Sequence, residues 1–123
     1  MMDNNIPDEE FLYRGVVISC WNEKENRPSS AAFKDSHGVS VDRDGGRNDE
    51  VCINHLLSDK QFKAVCRLTA GDARKCDTVV KYLPIVENTF HSEIHDSEVQ
   101  SAVKSTSKSR KLKNCAEVVY KNE

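Results

Sequence analysis

The sequence predicts a single α+β domain with a mixed or antiparallel sheet of about four or five strands and two or three helices, the last helix basic. Three observations support this fold class. Short runs of β-branched and aromatic residues alternate with polar turns, Asn48 begins a helical pattern, and a Lys/Arg-rich helical pattern lies near the C-terminal end. The length of 123 residues suits one domain.

The first strand is predicted over residues 11–19, FLYRGVVIS, because aromatic and β-branched side chains dominate it. Alternation divides these residues between two faces, with Leu12, Arg14, Val16 and Ile18 on one and Phe11, Tyr13 and Val17 on the other. Both faces are apolar, which indicates a central strand.

In the middle of the chain, the sequence pattern predicts further strands and one helix with an N-cap residue. GVSVD (38–42) is a short strand, and the glycines of RDGGR (43–47) suit a turn. Asn48 caps a helix that carries Val51, Cys52 and Leu56. FKAVCRLTA (62–70) is a half-exposed strand.

The remaining elements follow the same patterns. Residues 69–76 form one or two helical turns, residues 77–86 form a strand that Pro84 ends or bends, and residues 90–95 extend briefly. The last helix begins at Ser105 or Ser107, with Leu112, Ala116 and Val119 on its inner stripe. Residues 1–9 are predicted to be an acidic disordered tail, and residues 10–123 the domain.

Composition excludes several classes of protein. The net charge of −2 favours no class of partner, and five cysteines without a C-x-x-C pair indicate reduced, mostly buried thiols. The start of the chain lacks the features of a signal peptide, and no apolar run has the roughly 20 residues of a membrane span. We therefore predict a cytoplasmic protein without a membrane segment; no particular cofactor is indicated.

Arg14 is the first candidate for a functional residue. It shares a strand face with Leu12 and Val16, where a charged side chain must be paired or must reach a cleft. One interpretation is an ion pair at the sheet edge or a half-exposed face. The other is an arginine that binds phosphate or carboxylate inside a pocket.

The stretch RPSSAAFKDSHGVSVDRDGGR (27–47) is the second candidate. Its hydroxyl, carboxylate and cationic side chains suit a phosphate-bearing ligand, with Asp42 orienting an arginine or a ribose hydroxyl. The predicted ligand-binding residues here are Arg27, Ser29, Ser30, Ser40 and Arg43. The alternative is a serine turn with a surface ion pair between Asp42 and Arg43 or Arg47.

The segment FHSEIHD (90–96) contains two histidines on one predicted strand face. His91, Glu93 and His95 have usable metal-ligand chemistry, but their spacing is not that of a known helical motif, and no metal site is predicted. His91 is a candidate general acid or base, and a structural histidine is the alternative.

If Ser107 is the N-cap of the last helix, the basic run KSTSKSRKLK (104–113) predicts an anion site at the start of that helix. Arg110 and Lys111 are its candidate ligand-binding residues. The alternative is a solvated helix face, the usual setting of a run of like charges.

These residues together resemble a family of small bacterial hypothetical proteins. The matching segments are LYR (12–14), RPSSAAFKD (27–35), SVDR (40–43), H-x-x-I (91–94) and SRKL (109–112). The resemblance implies a bacterial or phage-related source and a compact single domain, and it implies no mechanism. A second, fainter similarity is to ADP-ribosyltransferase-like folds, in which Arg14, Ser40 and Glu93 would frame an NAD pocket.

The leading hypothesis is therefore a small cytosolic bacterial protein that binds a nucleotide or a nucleic-acid end, as a toxin-like or anti-phage defence effector would. Arg14, Asp42 and His91 are the candidate catalytic residues, with His91 transferring a proton if the protein is an enzyme. The alternative is a non-catalytic interaction subunit that docks a protein partner through its basic C-terminal helix.

Overall fold

The computed structural model describes residues 2–123, apart from the side chain of Asp59. In chain order the strands are β1 (Phe11–Val16), β2 (Trp21–Asn22), β3 (Arg27–Pro28), β4 (Val39–Arg43), β5 (Ala64–Thr69), β6 (Val79–Tyr82), β7 (His91–His95) and β8 (Glu117–Lys121). The α-helices are α1 (Asp49–Asp59), α2 (Ala70–Lys75) and α3 (Thr106–Cys115), and two short 3-10 helices span Ile18–Cys20 and Ser30–Phe33.

Six strands form one sheet in the order β6-β7-β4-β1-β5-β8, and every neighbouring pair is antiparallel. β2 and β3 form a separate two-stranded hairpin. The α+β class and the antiparallel sheet are confirmed. β1 lies near the middle of the sheet, as its two apolar faces predict.

The expected number of four or five strands was wrong, because the chain beyond the last helix forms a sixth strand in the main sheet. Helix α3 ends at Cys115, and Ala116 already has an extended backbone. Glu117–Lys121 then pairs with β5, so Val119 lies on a strand and not on the helix stripe. The sequence EVVYK has the β-branched character of a strand, and pairing with β5 overrides the helical spacing.

Helix starts follow the capping chemistry in the sequence. The Asn48 side chain accepts a hydrogen bond from the Val51 N–H at 3.0 Å, and Ser105 accepts one from Lys108. Ser105, and not Ser107, is therefore the N-cap of α3. Thr69 caps α2 in the same way. Each side-chain oxygen satisfies a backbone N–H that the first helical turn leaves without a partner.

Different elements pack against the two faces of the sheet. On one face Leu12, Phe33, Ile94 and Leu112 belong to the larger apolar core, together with residues of α2 and the 3-10 helix at Ser30–Phe33. On the other face α1 packs over Tyr13 and Val65. Beyond α1, the same face of β4 and β7 is polar. This polar surface holds Ser40, Asp42, His91, Glu93 and His95, because side chains two residues apart share a face.

The segment before β1 contacts the domain. Ile6 is 1% exposed and belongs to the larger core. The Asp8 carbonyl accepts a hydrogen bond from Gly71, and the Asp3 carbonyl accepts one from Arg43. Through these contacts the segment packs against the sheet and α2. The disorder predicted for residues 1–9 stays a prediction.

Arg43 and Glu10 form a buried ion pair that joins β4 to the segment before β1. Arg43 is 2% exposed, and its Nε and Nη2 atoms each donate to the Glu10 carboxylate at 2.8 Å. The guanidinium also lies over the Tyr82 ring, 4.6 Å from its centroid. The pair is bidentate and excluded from water, the geometry in which an ion pair is costly to break.

None of the helices within residues 2–123 has the length and apolar character needed to cross a membrane.

The Glu10–Arg43 pair predicts stability that falls in acid. Burial would raise the pKa of Glu10, but hydrogen bonds from Arg43 and Gly45 outweigh burial and lower it below the ordinary value of 4.5. A carboxyl whose pKa is lowered by folding stabilises the protein above its unfolded pKa, and this stabilisation is lost as the pH falls through the folded value. Urea unfolding should therefore show wild-type stability falling below pH 4.5.

Glu10→Gln should remove the pH-dependent contribution of Glu10 to the free energy of unfolding. We expect the free energy of unfolding of the variant at pH 7 to be about 1.5–3 kcal/mol below that of the wild type, which is the range for a hydrogen bond to a charged group. The difference from wild type should shrink as the pH falls, because Glu10 itself becomes neutral. Glu98→Gln is the matched control, since Glu98 pairs with Lys81 at an exposed site. A difference that stays constant with pH would contradict the assignment.

Candidate functional site

A cleft of about 760 Å³ opens between α1, the polar surface of β4 and β7, and the chain after β6. Its volume lies within the usual range for small-molecule sites. The residues that line it are Arg14, Gly15, Val17, Cys20, Ala32, Asp35, Ser40, Val41, Asp42, His55, Leu56, Ser58, Lys60, Phe62, Ile85, Glu87, Asn88 and His91.

The cleft lies where β1 and β4 cease to pair. The two strands pair only at Leu12 with Arg43 and at Tyr13 with Asp42, whereas β1 pairs with β5 along its whole length. Arg14 therefore has no strand partner on the β4 side. A gap between two neighbouring strands of a sheet is an opening that side chains can line.

Arg14 bridges this gap with its guanidinium. Nε donates to the Ala32 carbonyl at 3.0 Å, and Nη1 donates to the Ser40 carbonyl at 2.9 Å. Arg14 has no ion pair among the described side chains, so the predicted salt bridge at a sheet edge is not what the structure contains. Burial lowers the pKa of the Arg14 guanidinium, and the nearby Asp35 opposes this effect. An arginine has five N–H groups, which leaves donors for a ligand.

Asp42 lies on the neighbouring strand and is buried. Its side chain is 6% exposed. Oδ1 accepts a hydrogen bond from the Asn88 amide at 2.7 Å, and Oδ2 lies 3.6 Å from Nδ1 of His55. The alternative interpretation, a surface ion pair of Asp42 with Arg43 or Arg47, is therefore wrong. The carboxylate instead faces the cleft, beside an imidazole.

His55 completes the site and was not among the predicted site residues. It projects from α1, and its Nδ1 lies 3.1 Å from Nη1 of Arg47. Its ring also packs edge-on against Phe90, with centroids 6.0 Å apart. The signal was available in the sequence: a helix capped by Asn48 places His55 one turn after Cys52, on the inner stripe.

The neighbours of His55 favour different proton positions on its ring. Arginine only donates, so the contact with Arg47 requires Nδ1 to accept, and the neutral ring then carries its proton on Nε2. A proton on Nδ1 would instead point to Asp42 and leave Nε2 free as a base.

His91 enters the cleft from β7 and is the direct cross-strand partner of Asp42. Its Nε2 lies 3.1 Å from Oε2 of Glu93, while Oε1 of Glu93 lies 2.8 Å from Nε2 of His95. Glu93 therefore orients both histidines. Among the described residues, no group of three or more His, Cys, Asp or Glu side chains can hold a metal ion.

The floor and walls of the cleft are partly apolar. The Phe62 ring covers Gly15 so closely that a Cβ added to Gly15 would lie 2.5 Å from ring atoms. Leu56 and Ile85 also line the cleft. Only glycine at position 15 leaves room for the Phe62 ring, which lines the cleft beside the polar groups.

The structure places the predicted site residues in three groups. Arg14, Ser40, Asp42 and His91 line the cleft. Ser29 and Arg43 make internal contacts, since Ser29 donates to the Cys20 carbonyl and Arg43 pairs with Glu10. The others are outside the cleft: Ser30 begins a 3-10 helix, Arg27 contacts α3, and Arg110 and Lys111 are exposed on α3.

Arg43 is thus not available to a ligand, contrary to its predicted binding role. Its position in β4 turns its side chain away from Asp42, to the opposite face of the sheet. Ser29 is likewise occupied, because both its N–H and its hydroxyl donate to Cys20.

The chain matches no family model, no curated protein and no solved structure.

Arg14→Ala should destabilise the fold, because it removes two charged hydrogen bonds and leaves the Ala32 and Ser40 carbonyls without their donor. We expect a loss of about 1.5–3 kcal/mol in urea unfolding. Arg110→Ala, at an exposed position, is the control and should change stability by less than about 0.5 kcal/mol. Equal stability of Arg14→Ala and wild type would contradict the bridging role.

Proposed function

We propose that the protein binds a nucleotide or the end of a nucleic acid in the cleft, and that His55 and His91 can transfer protons to and from the bound ligand. One observation carries the proposal. Three strands and one helix bring Arg14, Asp42, His55 and His91 into a single cleft.

The charges of the cleft favour a ligand with one phosphate end rather than a polyanion. Two permanent cations, Arg14 and Lys60, line it together with three carboxylates, Asp35, Asp42 and Glu87. The cations suit a phosphate group. The buried Asp42 carboxylate suits the hydroxyl of a sugar, since an ionised carboxylate only accepts hydrogen bonds.

The apolar part of the cleft suits a base. Phe62, Leu56 and Ile85 present carbon surface beside the polar groups, and an aromatic ring stacks on any nucleobase. A ligand with a phosphate, a hydroxylated middle and a flat apolar ring is a nucleotide.

The imidazoles flank the proposed hydroxyl site. His55 and His91 both neighbour Asp42, one through a 3.6 Å side-chain contact and the other as its cross-strand partner. Two histidines beside a hydroxyl that is held near a phosphate can act as general base and general acid at the phosphorus centre. A toxin-like or defence effector that acts on nucleotides or RNA ends is consistent with this chemistry.

The similarity to ADP-ribosyltransferase-like folds contributes one point to the proposal, which is that NAD is a candidate ligand. Arg14 donates to the Ser40 carbonyl, and Ser40 pairs across strands with Glu93. Glu93, however, is not among the residues that line the cleft, and its carboxylate is engaged by His91 and His95.

Ligand-dependent thermal stabilisation tests the proposal. Nucleoside monophosphates, NAD and short RNA oligonucleotides should be compared, because a ligand at 100 times its Kd raises the unfolding free energy by about 2.7 kcal/mol. We expect a higher melting temperature with at least one of them. We expect His55→Ala and His91→Ala, if folded, to reduce any turnover of that ligand by about 100-fold or more.

His37→Ala is the matched control. His37 is 92% exposed and outside the cleft lining, so its removal should leave both binding and turnover unchanged. No stabilisation by any of the three ligand classes would refute the binding proposal. Stabilisation with wild-type turnover in both His55→Ala and His91→Ala would refute the proton-transfer roles.

A second candidate function is docking of an acidic protein partner on α3, and one observation favours it. Arg27 donates to the Asn114 side chain, and Lys34 donates to Thr106, so two basic residues from outside α3 lie at its two ends. Arg110 lies one helical turn from both Thr106 and Asn114 on the same face. We call this surface, made of Arg27, Lys34, Thr106, Arg110 and Asn114, the basic strip.

Binding to a poly-glutamate peptide, measured by fluorescence anisotropy, tests the basic strip. Arg110→Glu should weaken binding by about tenfold or more, because it reverses a charge at the centre of the strip, and added salt should weaken it further. Lys81→Glu, away from the strip, is the control. Unchanged binding in Arg110→Glu would contradict this second function, and it would leave the cleft proposal unaffected.

A further inference from the structure

Two cysteine thiols from different helices meet at one end of the helical layer. Cys76 is the C-cap of α2, and Cys115 is the last residue of α3. Their sulfur atoms are 3.8 Å apart. Cys76 is buried and Cys115 is exposed, so the pair joins a solvent-accessible residue to one inside the fold.

We propose that Cys76 and Cys115 form a reversible dithiol–disulfide site that a hydroperoxide oxidises, and that the disulfide ties the end of α2 to the end of α3. The site is independent of the cleft, whose lining includes neither cysteine.

The positions of the two residues allow the bond to form. A disulfide has a sulfur–sulfur distance of about 2.05 Å, so the sulfurs must approach by less than two ångströms. Both residues lie at helix ends, where the backbone is less constrained than inside a helix. Ala116 is already extended, and Asp77 has a positive φ of 61°, so the chain leaves each helix directly after the cysteine.

The surroundings give the two thiols different roles. Burial, together with the contact to Cys115, raises the pKa of the Cys76 thiol to about 12, so Cys76 is protonated at neutral pH. Cys115 is exposed, whereas Cys76 is buried. A peroxide therefore reaches Cys115 first, so Cys115 is the attacking nucleophile and Cys76 is the resolving thiol.

The oxidation balances with a hydroperoxide as the only co-reactant. The Cys115 thiolate attacks one peroxide oxygen, the O–O bond breaks, and Cys115 becomes a sulfenic acid while the released oxygen leaves as water after protonation. The Cys76 sulfur then attacks the sulfenic sulfur, the S–O bond breaks, and the Cys76 proton leaves with that oxygen as a second water. Two thiols lose two electrons, and one hydrogen peroxide yields two waters.

The disulfide would stabilise the packing of α3 against α2. Cys76 and Cys115 are 39 residues apart in the chain, so the bond closes a long loop and reduces the entropy of the unfolded state. In the folded protein it would hold α3 against α2, beside the existing contacts of Lys108 with Asp77 and Asp96. Oxidation is therefore expected to stabilise the domain and to fix the position of α3.

Treatment of the reduced protein with hydrogen peroxide tests the site. Thiol titration should show a loss of two of the five thiols, and peptide mapping should find Cys76 joined to Cys115. A dithiol reductant should restore all five. We also expect the oxidised protein to melt at least about 5 °C above the reduced protein.

Cysteine variants distinguish the two roles. Cys115→Ser, at an exposed position, should abolish both the cross-link and the melting shift. Cys76→Ser should let a sulfenic acid accumulate on Cys115, detectable with a dimedone probe. Cys20→Ser is the matched control, because Cys20 is half-buried elsewhere, and it should oxidise as the wild type does.

Three results would overturn the proposal. These are over-oxidation of Cys115 with no cross-link in the wild type, a cross-link that involves other cysteines, and a cross-link between two chains. A disulfide that leaves the melting temperature unchanged or lowers it would overturn the tethering of α3.

Discussion

The short pairing of β1 with β4 is the constraint on which the cleft depends. The strands pair at two positions only, and beyond them no strand partner fills the space beside Arg14. The Arg14 guanidinium bridges the gap through the carbonyls of Ala32 and Ser40. Without this donor, the carbonyl of the buried residue Ala32 would lose its partner next to the core, at a cost of about 1–3 kcal/mol. Arg14 thus spans the gap between the strands and also lines the cleft.

The arginines of the domain differ in how fully their donors are used. Arg43 is bonded twice to Glu10 and once to Asp3, and Arg67 is bonded to both Asp49 and Glu117. These side chains stabilise the fold. Arg14 makes two hydrogen bonds to neutral carbonyls and no ion pair among the described side chains, so it keeps both its charge and free donors. This difference in partners, and not in residue type, separates Arg14 from the arginines whose donors are used within the fold, and it is why the proposed phosphate site includes Arg14.

The strand pattern and the helix caps were the predictable part of the fold. Alternating apolar residues identified β1 as central, Asn48 marked the start of α1, and a short helix was predicted over residues 69–76, where α2 lies. The same reasoning failed at residues 116–121, because Ala116 and Val119 also fit the helical stripe of α3. Both periods match so short a segment, and pairing with β5, distant in the chain, decides between them. The sheet therefore has one more strand than the pattern predicted.

The sequence by itself determined the alternation that places Ser40 and Asp42 on one strand face, the two-sided burial of β1 and the setting of Arg14 among apolar neighbours. These depend on the local period of the backbone, which a single segment specifies. Only the tertiary structure decided that His91 lies beside Asp42, that His55 joins them from α1 and that Arg43 faces away toward Glu10. Strand register and helix packing join residues far apart in the chain, and no local pattern encodes them.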